Sequence, residues 1–118
     1  MASVLPFKTR RLERDDETDK ARFKRLASLV AEVTAEIDAE RAGLEARYGS
    51  ETADAGFLLE ALANDEVSGR SAARAERLTS SILRCEQRLA ALSRHAGLMS
   101  ELRLLLQRYR DGDNAEEV

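Results

Sequence analysis

Residues 70–109 read RSAARAERLTSSILRCEQRLAALSRHAGLMSELRLLLQRY, and this stretch decides the fold. Its apolar residues recur at alternating spacings of three and four: Ala75, Leu78, Ile82, Cys85, Leu89, Leu92, Ala96 and Met99. Because an α-helix completes a turn in about 3.6 residues, side chains at this spacing lie along one face. The stretch therefore predicts a long helix, from about Arg70 to Tyr109, that packs against a second helix.

A weaker form of the same pattern occurs earlier in the chain, over residues 15–48. The apolar residues there are Phe23, Leu26, Val30, Val33, Ile37 and Leu44. Their spacings are three, four and finally seven, because Glu40 interrupts the series. Four acidic residues within residues 15–19 suit the first turn of a helix, where carboxylates oppose the positive end of the helix dipole. We expect a first long helix from about Asp15 to Tyr48.

Two breaks are predicted between the long helices. Gly49 is typical of a helix end, and Ser50 is typical of the cap that begins another helix. A short middle helix is expected over residues 51–64, followed by a second break over residues 65–69. Two long helices joined in this way must run antiparallel if they pack on each other. The predicted fold is all-α: an antiparallel helical hairpin, or coiled coil, of two long helices with a short helix at the bend.

The ends of the chain differ in composition from its middle. Residues 1–14 carry four basic residues, Lys8, Arg10, Arg11 and Arg14, without a sustained apolar pattern. Residues 111–118 are acidic and contain Gly112. We expect a flexible basic N-terminal arm over residues 1–14, a helical hairpin domain over residues 15–110 and a disordered acidic tail over residues 111–118.

The composition restricts the class of protein. The chain has 118 residues, of which 43% are hydrophobic and 35% charged, and the single proline is Pro6. No apolar run is long enough to span a bilayer, and the N-terminus does not have the pattern of a secretory signal. A single cysteine, Cys85, excludes an internal disulfide and suits a reducing compartment. We expect a cytoplasmic protein, and the 16 arginines against three lysines favour a bacterial source.

Charge is divided unevenly along the chain. Residues 32–66 hold ten acidic residues against two arginines, whereas residues 70–110 hold nine arginines against three glutamates. An acidic segment is therefore predicted to face a basic helix. Each exposed ion pair contributes only about 0–1 kcal/mol, so this charge would set orientation more than stability.

Residues 98–106 are unusually rich in large apolar side chains. Six of these nine positions are apolar: Leu98, Met99, Leu102, Leu104, Leu105 and Leu106. A seam with one partner helix uses only about two positions in seven, so a single neighbour cannot cover them all. We predict a protein interface at Leu98, Leu102, Leu104, Leu105 and Leu106, covered by self-association or by another helical protein.

Five arginines form a stripe along one flank of the same helix. They are Arg70, Arg74, Arg77, Arg84 and Arg88, with Ser81 in the gap. The stripe could pair with acidic residues of the same chain or subunit partner, with an acidic partner protein, or with nucleic acid. The net charge of −3 and the lack of interleaved aromatic residues favour pairing with the chain's own acids and make nucleic acid the weakest alternative.

Residues that could support catalysis are few and scattered. One histidine, His95, and one cysteine, Cys85, cannot build a zinc site within a single chain. Acidic pairs such as Glu32 and Glu36 are typical of a solvated helix face. The six glycines never cluster, so no phosphate-binding loop is present. We expect no enzymatic activity, no metal and no cofactor.

These patterns predict a non-enzymatic cytoplasmic coiled-coil adaptor or scaffold that acts through protein–protein interaction. The expected partners are further copies of the chain, another helical protein, or both. An alternative is a nucleic-acid-associated regulator that uses the arginine stripe and the basic residues within 8–14. Over residues 15–110 the layout is also similar to that of the helical-hairpin stalk proteins and chaperones of bacterial flagellar and type III export. That resemblance, which is one of layout, implies a helical export chaperone or stalk-like protein.

Overall fold

The structure is a computed structural model that describes residues 4–64 and 69–116. Helix α1 spans Val4–Ala63 and helix α2 spans Gly69–Glu116. Every described residue except Asn64 is helical. The predicted all-α hairpin of two long helices is confirmed. Neither helix, over the residues described, contains an apolar stretch long enough to cross a membrane.

Helix α1 is continuous through the first predicted break. Gly49 and Ser50 lie inside the helix, and residues 51–63 continue it, so the separate middle helix was a wrong prediction. Nothing lies within 4 Å of where a Cβ would stand on Gly49, and its backbone does not adopt the left-handed conformation of a C-terminal cap. A mid-helix glycine costs only about 1 kcal/mol relative to alanine, which the packing of the residues on either side can offset.

The second predicted break falls between the two helices. Helix α1 ends at Ala63, where the Asn64 amide donates to the carbonyls of Glu60 (3.2 Å) and Ala61 (3.3 Å). Helix α2 begins at Gly69, one residue before the predicted start. Residues 65–68 lie outside the described residues.

Both helices extend beyond their predicted outer ends. Helix α1 begins at Val4 and not near Asp15, so the basic segment is helical from Val4 onward. Helix α2 runs to Glu116 and does not end at Tyr109. Residues 8–14 are mostly good helix formers, whereas residues 111–114 are helical although aspartate, glycine and asparagine have low helix propensity. Pro6 lies in the first turn, where its missing N–H removes no helical hydrogen bond. The flexibility expected of these segments stays a prediction, and residues 1–3 and 117–118 lie outside the described residues.

Contacts between residues divide the chain into two units. Unit 1 combines the described parts of Met1–Thr34 and Met99–Val118, and unit 2 is Ala35–Leu98. Each unit therefore contains one segment of α1 and one of α2. The hairpin domain predicted over residues 15–110 includes parts of both.

Unit 2 holds the most deeply buried side chains among the described residues. Leu92 is 1% exposed, and Cys85 and Ser81 are also buried. All eight positions of the apolar series on α2, from Ala75 to Met99, are buried or half-buried. Glu40 of α1 contacts Arg88, whereas Glu51 contacts Ser81. Residue numbers therefore rise along α1 as they fall along α2, which shows that the two segments run antiparallel.

The inward-facing positions of α1 differ in part from those predicted. Spacings of three and four connect the half-buried residues Phe23, Ala27, Val30, Thr34, Ile37, Arg41, Leu44, Tyr48, Glu51, Ala55, Leu58 and Leu62. Leu26, predicted to face inward, is 48% exposed, and Ala27 takes its place. The predicted series was interrupted at Glu40, but the inward-facing position there is occupied by Arg41. The series is unbroken, but it includes polar residues that an apolar pattern cannot detect.

An aromatic contact joins the two helices of unit 1. The rings of Phe23 on α1 and Tyr109 on α2 have centroids 4.5 Å apart. Continuing the series of α2 by four residues from Met99 would place Arg103 inward, but Arg103 is exposed and Leu102 is half-buried. The inward-facing positions of α2 thus advance by three twice in succession. Such an extra three-residue spacing locally shifts the inward-facing stripe around the helix axis.

Candidate interaction surfaces

The antiparallel arrangement within each unit decides which exposed residues share a side. Successive residues of a helix project about 100° apart. Because the two segments run in opposite directions, residues that directly precede an inward-facing position project to the same side on both. In unit 2 the contacts of Glu40 with Arg88 and of Arg47 with Ser81 lie on this side. Each of these four residues directly precedes an inward-facing position.

All five arginines of the predicted stripe lie on this side of unit 2, and Arg47 of α1 joins them. We call the set formed by Arg47, Arg70, Arg74, Arg77, Arg84 and Arg88 the basic flank. Phe57 of α1, which is 70% exposed, precedes the inward-facing Leu58 and so lies on the same side. Three acidic residues, Glu40, Glu51 and Asp54, lie on or directly beneath the flank.

One arginine of the stripe pairs with an acid of the other helix, as predicted. The Arg88 guanidinium donates from Nη2 to both Glu40 oxygens, at 3.0 and 2.9 Å, and from Nε to Oε1 at 3.2 Å. Both side chains stay about half exposed, so the pair contributes little to stability. The pair instead fixes the register of the two helices, because the guanidinium binds both carboxylate oxygens in a defined geometry.

The prediction of internal pairing does not extend to the rest of the stripe. Within residues 4–64 and 69–116, Arg70, Arg74, Arg77 and Arg84 form no hydrogen bond or ion pair. They line adjoining open grooves. One groove, of about 390 Å³, is bordered by Arg74, Arg77, Arg84, Arg47, Glu51, Ser81 and Leu78. Another, of about 520 Å³, brings Arg70, Arg74 and Arg77 beside Leu58 and Ala73.

A polar cluster forms the floor of the first groove. Glu51 Oε1 accepts hydrogen bonds from Ser81 Oγ at 2.8 Å and from Arg47 Nε at 3.0 Å. Arg47 Nη2 also donates to Ser81 Oγ at 3.3 Å. The hydrogen bond from Ser81, followed by that from Arg47, lowers the pKa of Glu51. The Glu51 carboxylate therefore pairs with Arg47, and Arg84 of the stripe makes a smaller electrostatic contribution to the same pKa shift.

Buried polar atoms also occur on the inward face of α1. Glu51 Oε2 and Arg41 Nε are buried and make no hydrogen bond with the described residues. On the opposite side of unit 2, the Tyr48 hydroxyl donates to Glu86 Oε1 at 3.0 Å, and this bond raises the pKa of Tyr48. The hydrogen bond between Tyr48 and Glu86 joins α1 to α2 and favours this register of the two segments.

In unit 1, the residues that directly precede inward-facing positions include a group of large, exposed apolar side chains. Leu26 and Leu29 precede the inward-facing Ala27 and Val30, and Leu105 precedes Leu106. Tyr109 adjoins them because it lies four residues after Leu105 on α2, and its ring contacts Phe23, which lies three residues before Leu26. We call Leu26, Leu29, Leu105 and Tyr109 the leucine face. Their exposed fractions lie between 48% and 57%.

The predicted interface residues do not form one surface. Leu102 and Leu106 are half-buried and face inward, whereas Leu104 and Leu105 are exposed on sides about 100° apart. Leu98 is exposed but belongs to unit 2. Sequence reasoning missed the contribution of Leu26, Leu29 and Tyr109. An uninterrupted three-and-four series on α1, with Arg41 admitted to it, would have moved Leu26 to the exposed side.

The other side of unit 1 has a different character. A groove of about 300 Å³ lies there, lined by Ala27, Val30, Ala31, Arg103, Leu106, Gln107, Arg110 and Asp111. Small and charged side chains replace the large apolar ones. Leu12 (70% exposed) and Leu104 (46% exposed) are further large apolar side chains of unit 1 that lie outside the leucine face.

The residues considered for chemistry are not brought together. Cys85 is buried with no partner thiol, and His95 is exposed. Over the part of the chain that the structure describes, no three His, Cys, Asp or Glu side chains are grouped so that they could hold a metal ion.

No protein-family model, curated protein or solved structure matches the chain.

Proposed function

We propose that the protein is a non-enzymatic, cytoplasmic coiled-coil adaptor or scaffold that self-associates through the leucine face of unit 1. The observation that carries this proposal is the exposure of Leu26, Leu29, Leu105 and Tyr109 on one side of that unit. Contiguous apolar surface of this kind marks interaction sites on soluble proteins.

The energetics favour covering this face. Complete burial of a leucine side chain is worth about 1.5–3 kcal/mol. Each residue of the leucine face is already about half buried, so covering the remainder is worth roughly 1 kcal/mol per residue. Both helices contribute residues to this face.

A second copy of the chain is the simplest occupant. Cyclic dimers use the same patch on both subunits, so each residue of the patch counts twice. The three leucines are apolar and Tyr109 is uncharged, so these side chains do not repel one another when two copies of the face meet. The expected product is a bundle in which the inward-facing positions of each hairpin stay where they are and the leucine faces form a new core.

Sedimentation equilibrium of the full chain tests the proposal. We expect an oligomer at micromolar concentration. Leu105→Glu should weaken a dimer by about 2 kcal/mol from lost apolar burial alone, which is about a 30-fold increase in Kd. Leu29→Glu should act in the same way, and circular dichroism should show unchanged helicity for both, because these positions are exposed.

Leu83→Glu is the matched control. Leu83 is 52% exposed on α2 but lies in unit 2, so its replacement should leave the dimer intact. A monomer at all concentrations, or equal effects of Leu105→Glu and Leu83→Glu, would contradict the proposal.

A further inference from the structure

The basic flank of unit 2 carries more positive charge than the ion pairs among the described residues neutralise. Arg88 is paired with Glu40 and Arg47 with Glu51. The four remaining arginines, Arg70, Arg74, Arg77 and Arg84, form no ion pair with the described residues, although Arg84 interacts electrostatically with Glu51. They are spaced by four, three and seven residues along α2. Guanidinium groups on one flank of a helix repel one another, and an anionic partner would remove that repulsion.

The grooves between these arginines are not purely polar. Leu58 and Ala73 line the groove beside Arg70 and Arg74, and Leu78 lines the one beside Arg84. Phe57, on the same side, is 70% exposed. A ligand that fits such a surface combines carboxylates for the arginines with apolar side chains for the grooves. An amphipathic helix with acidic residues along the border of its apolar stripe has this pattern.

The spacing of the arginines also matches a helix. Arg70 and Arg84 are fourteen residues apart, which is about 21 Å along the axis at 1.5 Å per residue. Acidic residues that recur at spacings of three and four on a partner helix would meet these arginines over the same length. The pairing of Arg88 with Glu40 is an example of such a contact within the protein, since one arginine of the stripe there binds both oxygens of a carboxylate on a neighbouring helix.

Nucleic acid fits the surface less well. Unit 2 has eight arginines against eleven acidic residues, so it carries a net negative charge. Glu40, Glu51 and Asp54 lie on or beneath the basic flank and repel any anionic ligand, so a ligand with separate, spaced carboxylates fits better than a continuous row of phosphates. A phosphate backbone is bound chiefly through net positive charge, whereas individual carboxylates can be met one at a time by separate arginines.

We propose that the basic flank of unit 2 is a docking surface for an acidic amphipathic helix of a partner protein. Arg70, Arg74, Arg77 and Arg84 bind its carboxylates, and Leu58, Leu78 and Phe57 receive its apolar side chains. This surface is separate from the leucine face, so the proposal goes beyond self-association. The protein would then join copies of itself through unit 1 and a different protein through unit 2.

Fluorescence anisotropy with a labelled synthetic helix tests the proposal on the full chain. The probe is a peptide of about three heptads with leucines along one stripe and glutamates bordering it. A second peptide replaces every glutamate with glutamine. We expect micromolar binding of the glutamate peptide at about 0.05 M salt, weaker binding at about 0.15 M salt, and little binding of the glutamine peptide.

Two triple variants separate this site from general charge attraction. Arg74→Ala, Arg77→Ala and Arg84→Ala together should weaken peptide binding by about tenfold or more. The matched variant, with Arg94→Ala, Arg103→Ala and Arg108→Ala, removes the same charge from other exposed positions and should change Kd by less than about twofold. Circular dichroism checks that both variants fold.

Four results would overturn the proposal. They are no binding of the glutamate peptide, equal loss of binding in the two triple variants, tighter binding of a single-stranded RNA or duplex DNA than of the peptide, and loss of self-association in the variant at Arg74, Arg77 and Arg84. The last result would assign the flank to a second copy of the chain. Leu105→Glu should leave peptide binding unchanged, so failure of the self-association proposal is distinguishable from failure of this one.

Discussion

Replacement of Gly49 by alanine tests whether α1 is one continuous helix. Gly49 was predicted to end a helix, but it lies within the continuous α1 of Val4–Ala63. An added Cβ would meet nothing within 4 Å, so no steric cost opposes the substitution. Alanine is favoured over glycine in a helix interior by about 0.5–1 kcal/mol. Gly49→Ala should therefore stabilise the protein by that amount.

Thermal and urea unfolding followed by circular dichroism would measure this gain. For a chain of this size the expected rise in Tm is roughly 2–6 °C. Protein concentration must be held constant, because association would itself shift Tm. Gly43→Ala is the matched control, since Gly43 is also exposed in α1, has equally open space around it and was never predicted to end a helix.

A decrease in stability caused by Gly49→Ala would refute the reasoning. If Gly43→Ala stabilised the protein and Gly49→Ala destabilised it, Gly49 would have to adopt the left-handed conformation, which alanine disfavours. Helix α1 would then be broken there, and the middle helix predicted over residues 51–64 would be separate after all.

Two further predictions concern the packing and the polar cluster of unit 2. Leu92→Ala should lower the free energy of unfolding by about 2–5 kcal/mol, because Leu92 is 1% exposed. Leu83→Ala, at an exposed site, should change the free energy of unfolding by less than about 0.5 kcal/mol. Similar values for the two variants would contradict the assignment of Leu92 to the core. Since the pKa of Glu51 is lowered, its carboxylate contributes stability above the ordinary glutamate value of 4.5, and this contribution is lost as pH falls below that value. The difference in Tm between the natural protein and Glu51→Gln should therefore be constant near neutral pH and shrink below pH 4.5, and a difference that did not change with pH would show that the charge of Glu51 plays no part.

The two helices were not equally predictable. On α2, every residue of the predicted inward-facing series from Ala75 to Met99 is buried or half-buried, because apolar residues fill nearly all of those positions. On α1, Arg41 and Glu51 occupy inward-facing positions. A search for apolar residues therefore skipped one site and assigned Leu26 to the wrong side. Glycine raised a second difficulty, since Gly49 can end a helix or continue one, and only the surrounding packing decides between them.

The candidate surfaces were likewise predictable from the sequence only in part. The arginine stripe and the abundance of leucine near the end of α2 were evident from spacing and composition. Which arginines stay unpaired was not, because Arg88 reaches Glu40 only in the antiparallel register of unit 2. Equally, Arg47 joins the basic flank, and Leu26 and Leu29 join Leu105, only because α1 and α2 run in opposite directions within their unit.

By itself the sequence determined that this protein is built from two long helices, where they meet along α2 and where its charge is concentrated. Local spacing encodes these properties, since a helix face is set by residues three and four apart. Tertiary structure alone decided the continuity of α1, the pairing of Glu51 with Ser81 and the side on which each exposed leucine lies. These features depend on the register between segments that are distant in sequence, and contacts between such segments leave no periodic signal in either one.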